Sequence, residues 1–569
     1  MAVTETEVLT QIATPPAGVH ETPADGGWTK PAAPQFGGKF ELSDPEPENR
    51  IAIGYVSLYN AYNLGIRYIH ALTQAKGYKS PLIFFGKISA NDVTEPGQVD
   101  FDNLFKVLKK DDCRLVCVSV SCSSYYDMAV ELTKRIRTEM PNAKILWGGV
   151  HVTLSPEDCI KHADYVCLGE GETTTLELAR CLSRGEDPDR IQSLWIRKPN
   201  GSIQTNPMRE VVRNLDDLPF PTWDDIDKHI VMRGQYKTEE IGKNDPYIIT
   251  MTMRGCPFKC TYCINNRYHN DYREEGMGSL RQRSPENVIE ELRQARELMP
   301  NFDQKVIAFY DDVFSVQLDW ITRFADLYTA EFTNRFWCYF HPNLIQEPII
   351  RQLQRMGLTH IDVGIQTGSE RIRREYYHRP EKDDFVRNAM AMLQKANVSV
   401  ALDVITDIPW ETDEDRRESL EFFLSLPKPY EVLFYSLIWF PKVDLTVRAL
   451  QEGIITRDEV EDRAKKTFEQ FVATLDWDGR TPKQMFWIAL YYMAARGVYS
   501  PDFIRWLSKQ AWIIKFPQLV RYLNWQQNRI IQIKKGFKAL GWLATGKLSP
   551  KALVARLSNY YIWEAPFGK

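Results

Sequence analysis

The run Met253-Arg254-Gly255-Cys256-Pro257-Phe258-Lys259-Cys260-Thr261-Tyr262-Cys263-Ile264 decides how this chain is read. Three cysteines fall within eight residues, separated by spacers of three and two. That spacing lets three thiolates take three corners of a cubane iron–sulfur cluster and leaves the fourth iron without a protein ligand. A cluster that only carries electrons is closed by a fourth cysteine, so an open iron is a place for a substrate or cofactor to bind. Two other readings stand beside this one, a zinc site and three buried thiols. Zinc sites pair Cys-x-x-Cys with a second ligand pair at a distance, and the sequence offers no such pair.

The chain of 569 residues has material for two or three domains. A hydrophobic content of 44% and a net charge of −4 describe an ordinary globular protein. Residues 1–49 are rich in Pro, Thr, Ala, Gly and Glu, contain no apolar core, and read as a disordered leader rather than a signal peptide. No apolar run approaches the roughly eighteen residues that a membrane-spanning helix needs. Seven cysteines lie outside the triad: Cys113, Cys117, Cys122, Cys159, Cys167, Cys181 and Cys338. Their scatter through apolar stretches reads as buried thiols in a reducing, cytoplasmic compartment.

Working outward from the triad, two regions alternate short apolar strands with amphipathic helices. Residues 50–195 read as a doubly wound parallel sheet, with strands at 51–58, 80–85, 114–121, 144–149 and 165–168. Residues 196–245 are polar and Pro-rich and read as a linker. Residues 246–445 read as six strand–helix units, with strands at 247–253, 305–310, 336–340, 360–364, 399–405 and 431–438. Residues 446–569 read as a helical C-terminal domain. The fold class is thus α/β with a helical appendage.

The cysteine run resembles the signature of the radical S-adenosylmethionine (radical SAM) superfamily, Cys-x-x-x-Cys-x-aromatic-Cys, with Tyr262 at the aromatic position. The resemblance implies a [4Fe-4S] cluster on Cys256, Cys260 and Cys263 whose open iron holds S-adenosylmethionine. One electron then releases a 5′-deoxyadenosyl radical in a site kept free of water. It also implies that the six units form a partial TIM-like barrel with its chemistry at the carboxyl ends of the strands. Asp311 or Asp312 would meet the cofactor's ammonium group, unless one of them merely caps the next helix. Gln366, in Gly364-Ile-Gln-Thr-Gly368, would hydrogen-bond the ribose. Arg379 would pair with the cofactor carboxylate or lie in solvent.

The first region resembles the cobalamin-binding domain that precedes many radical SAM domains. The resemblance rests on Ser119 and Ser121, Gly148-Gly149 with Val150 and His151, and Gly169-Glu170-Gly171-Glu172. Where histidine-ligating domains read Asp-x-His-x-x-Gly, this chain has Asn60-Ala61-Tyr62-Asn63-Leu64-Gly65. The resemblance therefore implies cobalamin, contacted around Asn60, Tyr62 and Gly65, with no histidine on its lower face.

These implications converge on an enzyme that methylates an unactivated carbon of a small or lipophilic metabolite. The alternatives are a radical SAM enzyme catalysing cyclisation, rearrangement or oxygenation, and a non-enzymatic iron–sulfur redox protein. The expected partners are a small-molecule substrate and an external low-potential electron donor, with no nucleic acid. From Pro501 to Lys569 there are twelve Lys and Arg residues, two acids and twelve aromatics. That composition suits a helical cap able to touch a membrane surface.

Overall fold

The computed structural model describes residues 44–89, 92–274, 278–315, 317–379, 381–464 and 480–544. Most of the expected leader (1–43) and the last stretch of the basic region (545–569) lie outside the described residues.

The first sheet contains nine strands. Six run parallel, in the order Lys228–Met232, Leu82–Phe85, Ala52–Leu58, Cys113–Ser119, Lys144–Gly148 and Tyr165–Cys167. The five strands read from the sequence all occupy this sheet. Their apolar runs, such as Leu82-Ile-Phe-Phe85, are buried on both faces, as a parallel sheet covered by helices requires. The helices Leu64–Ala75 and Glu172–Arg184 pack together on one face.

The stretch 196–245 is more than a linker. It completes the sheet at both edges: Leu194–Arg197 and Ile203–Gln204 add antiparallel strands at one side, and Lys228–Met232 with Gln235–Lys237 close the other. Its proline-rich composition hid strands too short to show a period. It is also bolted in place electrostatically. Glu240 has a side chain with no exposure, receives Arg67 at 2.7 and 3.0 Å, and lies 3.0 Å from Lys228. Burial pushes the Glu240 carboxyl up, but the charge and hydrogen bonds of Arg67 outweigh it and hold the group down at about 2.

The second sheet has six parallel strands in simple sequence order: Tyr247–Thr250, Val306–Phe309, Phe336–Phe340, Leu358–Gln366, Ser399–Thr406 and Glu431–Ser436. Helices including Pro285–Leu298, Leu318–Glu331, Glu347–Met356, Asp383–Lys395 and Asp413–Ser425 cover its outer face. The helix Pro285–Leu298 begins as its sequence requires, with Ser284 accepting from the Asn287 N–H and Pro285 in the first turn. The helix Pro482–Arg496 then packs on Asp413–Ser425 and on the last strand, extending the core into the C-terminal region.

Breaking a buried ion group by removing one partner strands the others in low dielectric. Glu240→Ala is therefore expected to lower unfolding free energy by about 3–5 kcal/mol, read from the chemical denaturation midpoint. Lys79→Ala, whose partner Asp227 is at the surface, should cost under about 1 kcal/mol.

Candidate functional site

A deep cavity lies between the carboxyl edge of the first sheet and the segments around the cysteine loop. It encloses about 1350 Å³ of atom-free space, open mouth included. One wall is the carboxyl edge of the first sheet: Ser119, Ser121, Gly148, Gly149, Val150 and the turn Gly169–Glu172. From that edge it continues as a slot between the sheet and its two packed helices, reaching Tyr55, Cys117 and Leu146 on the strands and Ile66, Ile69 and Thr175 on the helices. The opposite wall comes from the second domain: Arg254, Gly255, Asn265, Tyr268, His269, Tyr272 and Asp312.

Two glycines make this geometry possible. Gly149 has φ +111°, and a Cβ there would stand 2.8 Å from the Val120 carbonyl oxygen. Gly169 has φ +68°, and its Cβ would fall 2.3 Å from the Tyr272 hydroxyl. That second contact is between domains, so the glycine lets the walls meet.

The walls are clamped by charge. Glu170 receives Arg281 (Nη1 at 3.0 Å) and lies 3.2 Å from Arg254, which also reaches Glu172 at 2.6 Å. The Glu170 N–H donates to the Tyr272 hydroxyl at 3.2 Å. Burial pushes the Glu170 carboxyl up; the charges of Arg254 and then Arg281 prevail and hold it at about 2.

The cysteine loop begins beside this clamp. Cys260 is buried and Cys256 and Cys263 are partly buried. Burial pushes the Cys256 thiol to about 12 and the Cys263 thiol to about 11, and the charge of neighbouring cysteines raises both further. Thiols this close and this desolvated are held protonated until a cation lowers them, which suits a ferric–ferrous cluster. Among the described residues no three His, Cys, Asp or Glu side chains converge as on a single metal ion.

The loop is fixed from several sides. Asp311 is fully buried and accepts from the Thr252 N–H (2.6 Å), the Met253 N–H (2.8 Å) and the Thr252 hydroxyl (3.1 Å). It anchors the loop entrance and does not cap the following helix. Asp312 accepts from the Gly255 N–H and the Asn265 side chain and lines the cavity. The Cys256 N–H donates to His269 Nε2 at 3.1 Å. Tyr262 is contacted by Arg379 Nη1 at 2.9 Å, and Arg379 also holds Glu381 at 2.7 Å. Arg379 is 3% exposed, so the reading of it as a solvated charge is corrected. Gln366 has φ +66° and turns its amide against Gly364, where a Cβ would stand 2.7 Å from Nε2.

Of the residues singled out for the first domain, Gly65, Ser119, Ser121, Gly148, Gly149, Val150, Gly169, Glu170 and Gly171 line the cavity. Asn60, Tyr62 and His151 do not. Asn60 accepts from the Tyr62 N–H, the Tyr62 hydroxyl donates to Asp245, and His151 is buried against Ser123 at 2.9 Å. Asn63, not Tyr62, reaches the site: it caps the helix Leu64–Ala75 and donates to Ser119 at 2.7 Å. Among the described residues, no histidine lines the cavity on the first-sheet side. The slot, the glycine-lined edge and that lower wall fit a corrin with its nucleotide tail inserted beside the sheet. Sequence reading also missed the run Asn265–Tyr272, whose polar and aromatic residues directly follow the last cysteine.

The concave face of the second sheet carries Trp337, Tyr339, His360, Asp362, Asp403, Leu433 and Tyr435, with Tyr310 at the strand end. Tyr310 and Tyr435 are 45% and 41% exposed, so this face is open. His360 lies 3.0 Å from Asp362. Burial and then the Asp362 charge push the Asp403 carboxyl up to about 7. Asp403 Oδ1 and Trp337 Nε1 are buried without a hydrogen-bond partner.

Two family models match the chain: the B12 binding domain over residues 51–179 and the radical SAM superfamily over residues 250–423. An uncharacterized methyltransferase of Pyrococcus horikoshii is 27% identical over 334 residues, covering 58% of this chain and 68% of its own. The cytidylyl-2-hydroxyethylphosphonate methyltransferase of Streptomyces wedmorensis is 23% identical over 360 residues, covering 56% of this chain and 64% of its own. The anaerobic magnesium-protoporphyrin IX monomethyl ester cyclase of Rubrivivax gelatinosus is 20% identical over 435 residues, covering 71% and 73%. Among solved structures, the cobalamin-dependent radical enzyme OxsB matches with TM-score 0.58 at 14% identity, over 91% of this chain and 76% of that one. The methyltransferase TsrM of Kitasatospora setae matches with TM-score 0.53 at 15% identity, over 70% and 76%. At these identities the structures report the fold.

Glu170→Gln should loosen the clamp and destabilise the protein by about 3 kcal/mol at pH 7, since a pKa unit is worth about 1.4 kcal/mol. The native carboxyl is held below its ordinary value, so its contribution is present above about pH 4.5 and fades as pH falls toward about 2. The gap between variant and native unfolding free energies should close over that range.

Proposed function

We propose that this chain, a radical SAM enzyme with a B12-binding domain ahead of its radical SAM domain, methylates an unactivated carbon of a small or lipophilic molecule. The observation that supports this is the shared wall: Gly255, next to Cys256, and Asp312 line the same cavity as the glycine edge of the first sheet. Two cofactor sites that abut in this way serve a reaction that needs both. S-adenosylmethionine on a [4Fe-4S] cluster supplies a hydrogen-abstracting carbon radical, and cobalamin supplies a transferable methyl group.

In this reading Cys256, Cys260 and Cys263 are the cluster ligands. Asp312, at the junction of loop and cavity, would accept hydrogen bonds from S-adenosylmethionine, and Gln366 would hydrogen-bond its ribose. Arg379 acts through Tyr262 as a positioning residue. Asn63, Ser119, Ser121, Gly148 and Gly149 would cradle the corrin, and Tyr268 and Tyr272 would screen it from water. The substrate lies on the concave face, its apolar body against Tyr310, Trp337, Tyr339 and Tyr435. A hydrogen-bond donor on it satisfies Asp403 Oδ1. An external low-potential donor delivers the electron. Free cysteines throughout the described chain suit a reducing cytoplasm. The cyclase relative supports a second reading, in which the same radical closes a ring without methyl transfer.

With the holoenzyme reconstituted anaerobically and S-adenosylmethionine labelled as CD₃, a small-molecule extract should yield a product carrying the label together with 5′-deoxyadenosine. A product without label, formed alongside 5′-deoxyadenosine, selects ring closure. The Cys256→Ala variant should form neither. Once a substrate is in hand, its affinity should rise with pH through about 7 if its donor is cationic, because Asp403 is neutral below that point and charged above. Asp403→Asn should flatten that dependence.

A further inference from the structure

The helix Pro517–Ala544 is built inside out. Its inward residues Asn524 and Gln527 are buried and donate their amides to the carbonyls of Ala489 (3.2 Å) and Tyr492 (3.4 Å) on the helix Pro482–Arg496. Its outward face carries Leu519, Tyr522, Trp525, Ile530, Ile533 and Phe537, spaced by three to five residues. Each is more than a third exposed, and Phe537 is 71% exposed. Just upstream, Trp506, Trp512 and Phe516 are more than half exposed. Single exposed apolar side chains are ordinary, but a row on successive turns marks a surface that something covers.

Charge says what covers it. From Pro501 to Ala544 the chain has eight Lys and Arg residues and one acid, Asp502. Lys509, Lys515 and Arg529 are exposed among the aromatics. A second copy laid on this face would bring the same excess of cations against it. Residues 545–569 add four more basic residues against Glu564 alone, so they too are of like charge. No described helix is long and apolar enough to cross a membrane. A helix with Trp, Phe and Ile on one side and interspersed Lys and Arg is the pattern that lies in a bilayer interface.

We propose that this face docks on an anionic lipid bilayer. The aromatic and aliphatic side chains enter the boundary between headgroups and acyl chains, and Lys509, Lys515 and Arg529 meet the lipid phosphates and carboxylates. The docking is independent of which reaction the enzyme performs. Its consequence for the enzyme is a substrate delivered from, or left in, the membrane surface.

The test is sedimentation of the full, cofactor-loaded chain with phosphatidylcholine vesicles, with and without phosphatidylserine. Binding to the anionic vesicles should exceed that to neutral ones by about tenfold and weaken as salt is added. Replacing Trp525, Ile533 and Phe537 together by serine should reduce it about tenfold while leaving thermal unfolding unchanged, because all three side chains face outward. Lys515→Glu with Arg529→Glu should remove the preference for phosphatidylserine. The proposal is overturned if the native chain sediments with neither vesicle. It is also overturned if the triple serine variant instead splits a dimer seen by light scattering, or if an RNA oligonucleotide displaces the vesicles.

Discussion

One carboxylate set between two guanidinium groups holds the halves of this molecule in register. Glu170 leaves water at a desolvation cost, and Arg254 and Arg281 more than offset it, which is why the group stays strongly acidic although buried. The pair of arginines flanks the cysteine run: Arg254 two residues before Cys256, Arg281 in the short strand that pairs with it. The same contact that joins the domains therefore sets the distance between the glycine edge and the thiol loop. Gly169 serves the same end sterically, since any side chain there would push Tyr272 away.

Much of this was legible from local pattern. The thiol spacing, the five apolar strands of the first region and the six of the second are short-range features that a sequence displays directly. What stayed hidden depends on partners distant in the chain. The strands in 196–245 are recognisable only through the edges they cover. Arg379 looks like any surface arginine until Tyr262 and Glu381 close around it. The loop Asn60–Gly65 reaches the cavity through Gly65 and Asn63, and which side chain turns inward is decided by the helix cap: Asn63 caps and points to Ser119, so Tyr62 faces away toward Asp245. Asn265–Tyr272 carries no sequence signal of its role because the surface it faces belongs to the other domain.

The concave face of the barrel shows the opposite of good packing, and that is informative. Asp362 and Asp403 repel each other in a poorly hydrated place, and Trp337 Nε1 finds no acceptor. A core chosen for stability alone would replace them with apolar residues. Their presence among tyrosines marks a surface shaped for something other than the protein itself.

The strand Lys228–Met232, second from the sheet's edge, has a bearing on how the chain matures. It pairs with Leu82–Phe85, and the neighbouring contact of Lys79 with Asp227 joins residues 148 positions apart. On the ribosome, the first domain must wait with an open flank until that strand emerges. The thiol loop follows within a few dozen residues, so the sheet closes and the cluster ligands appear at nearly the same moment of synthesis. A chain cut at residue 195 would keep a raw β-edge available for aggregation.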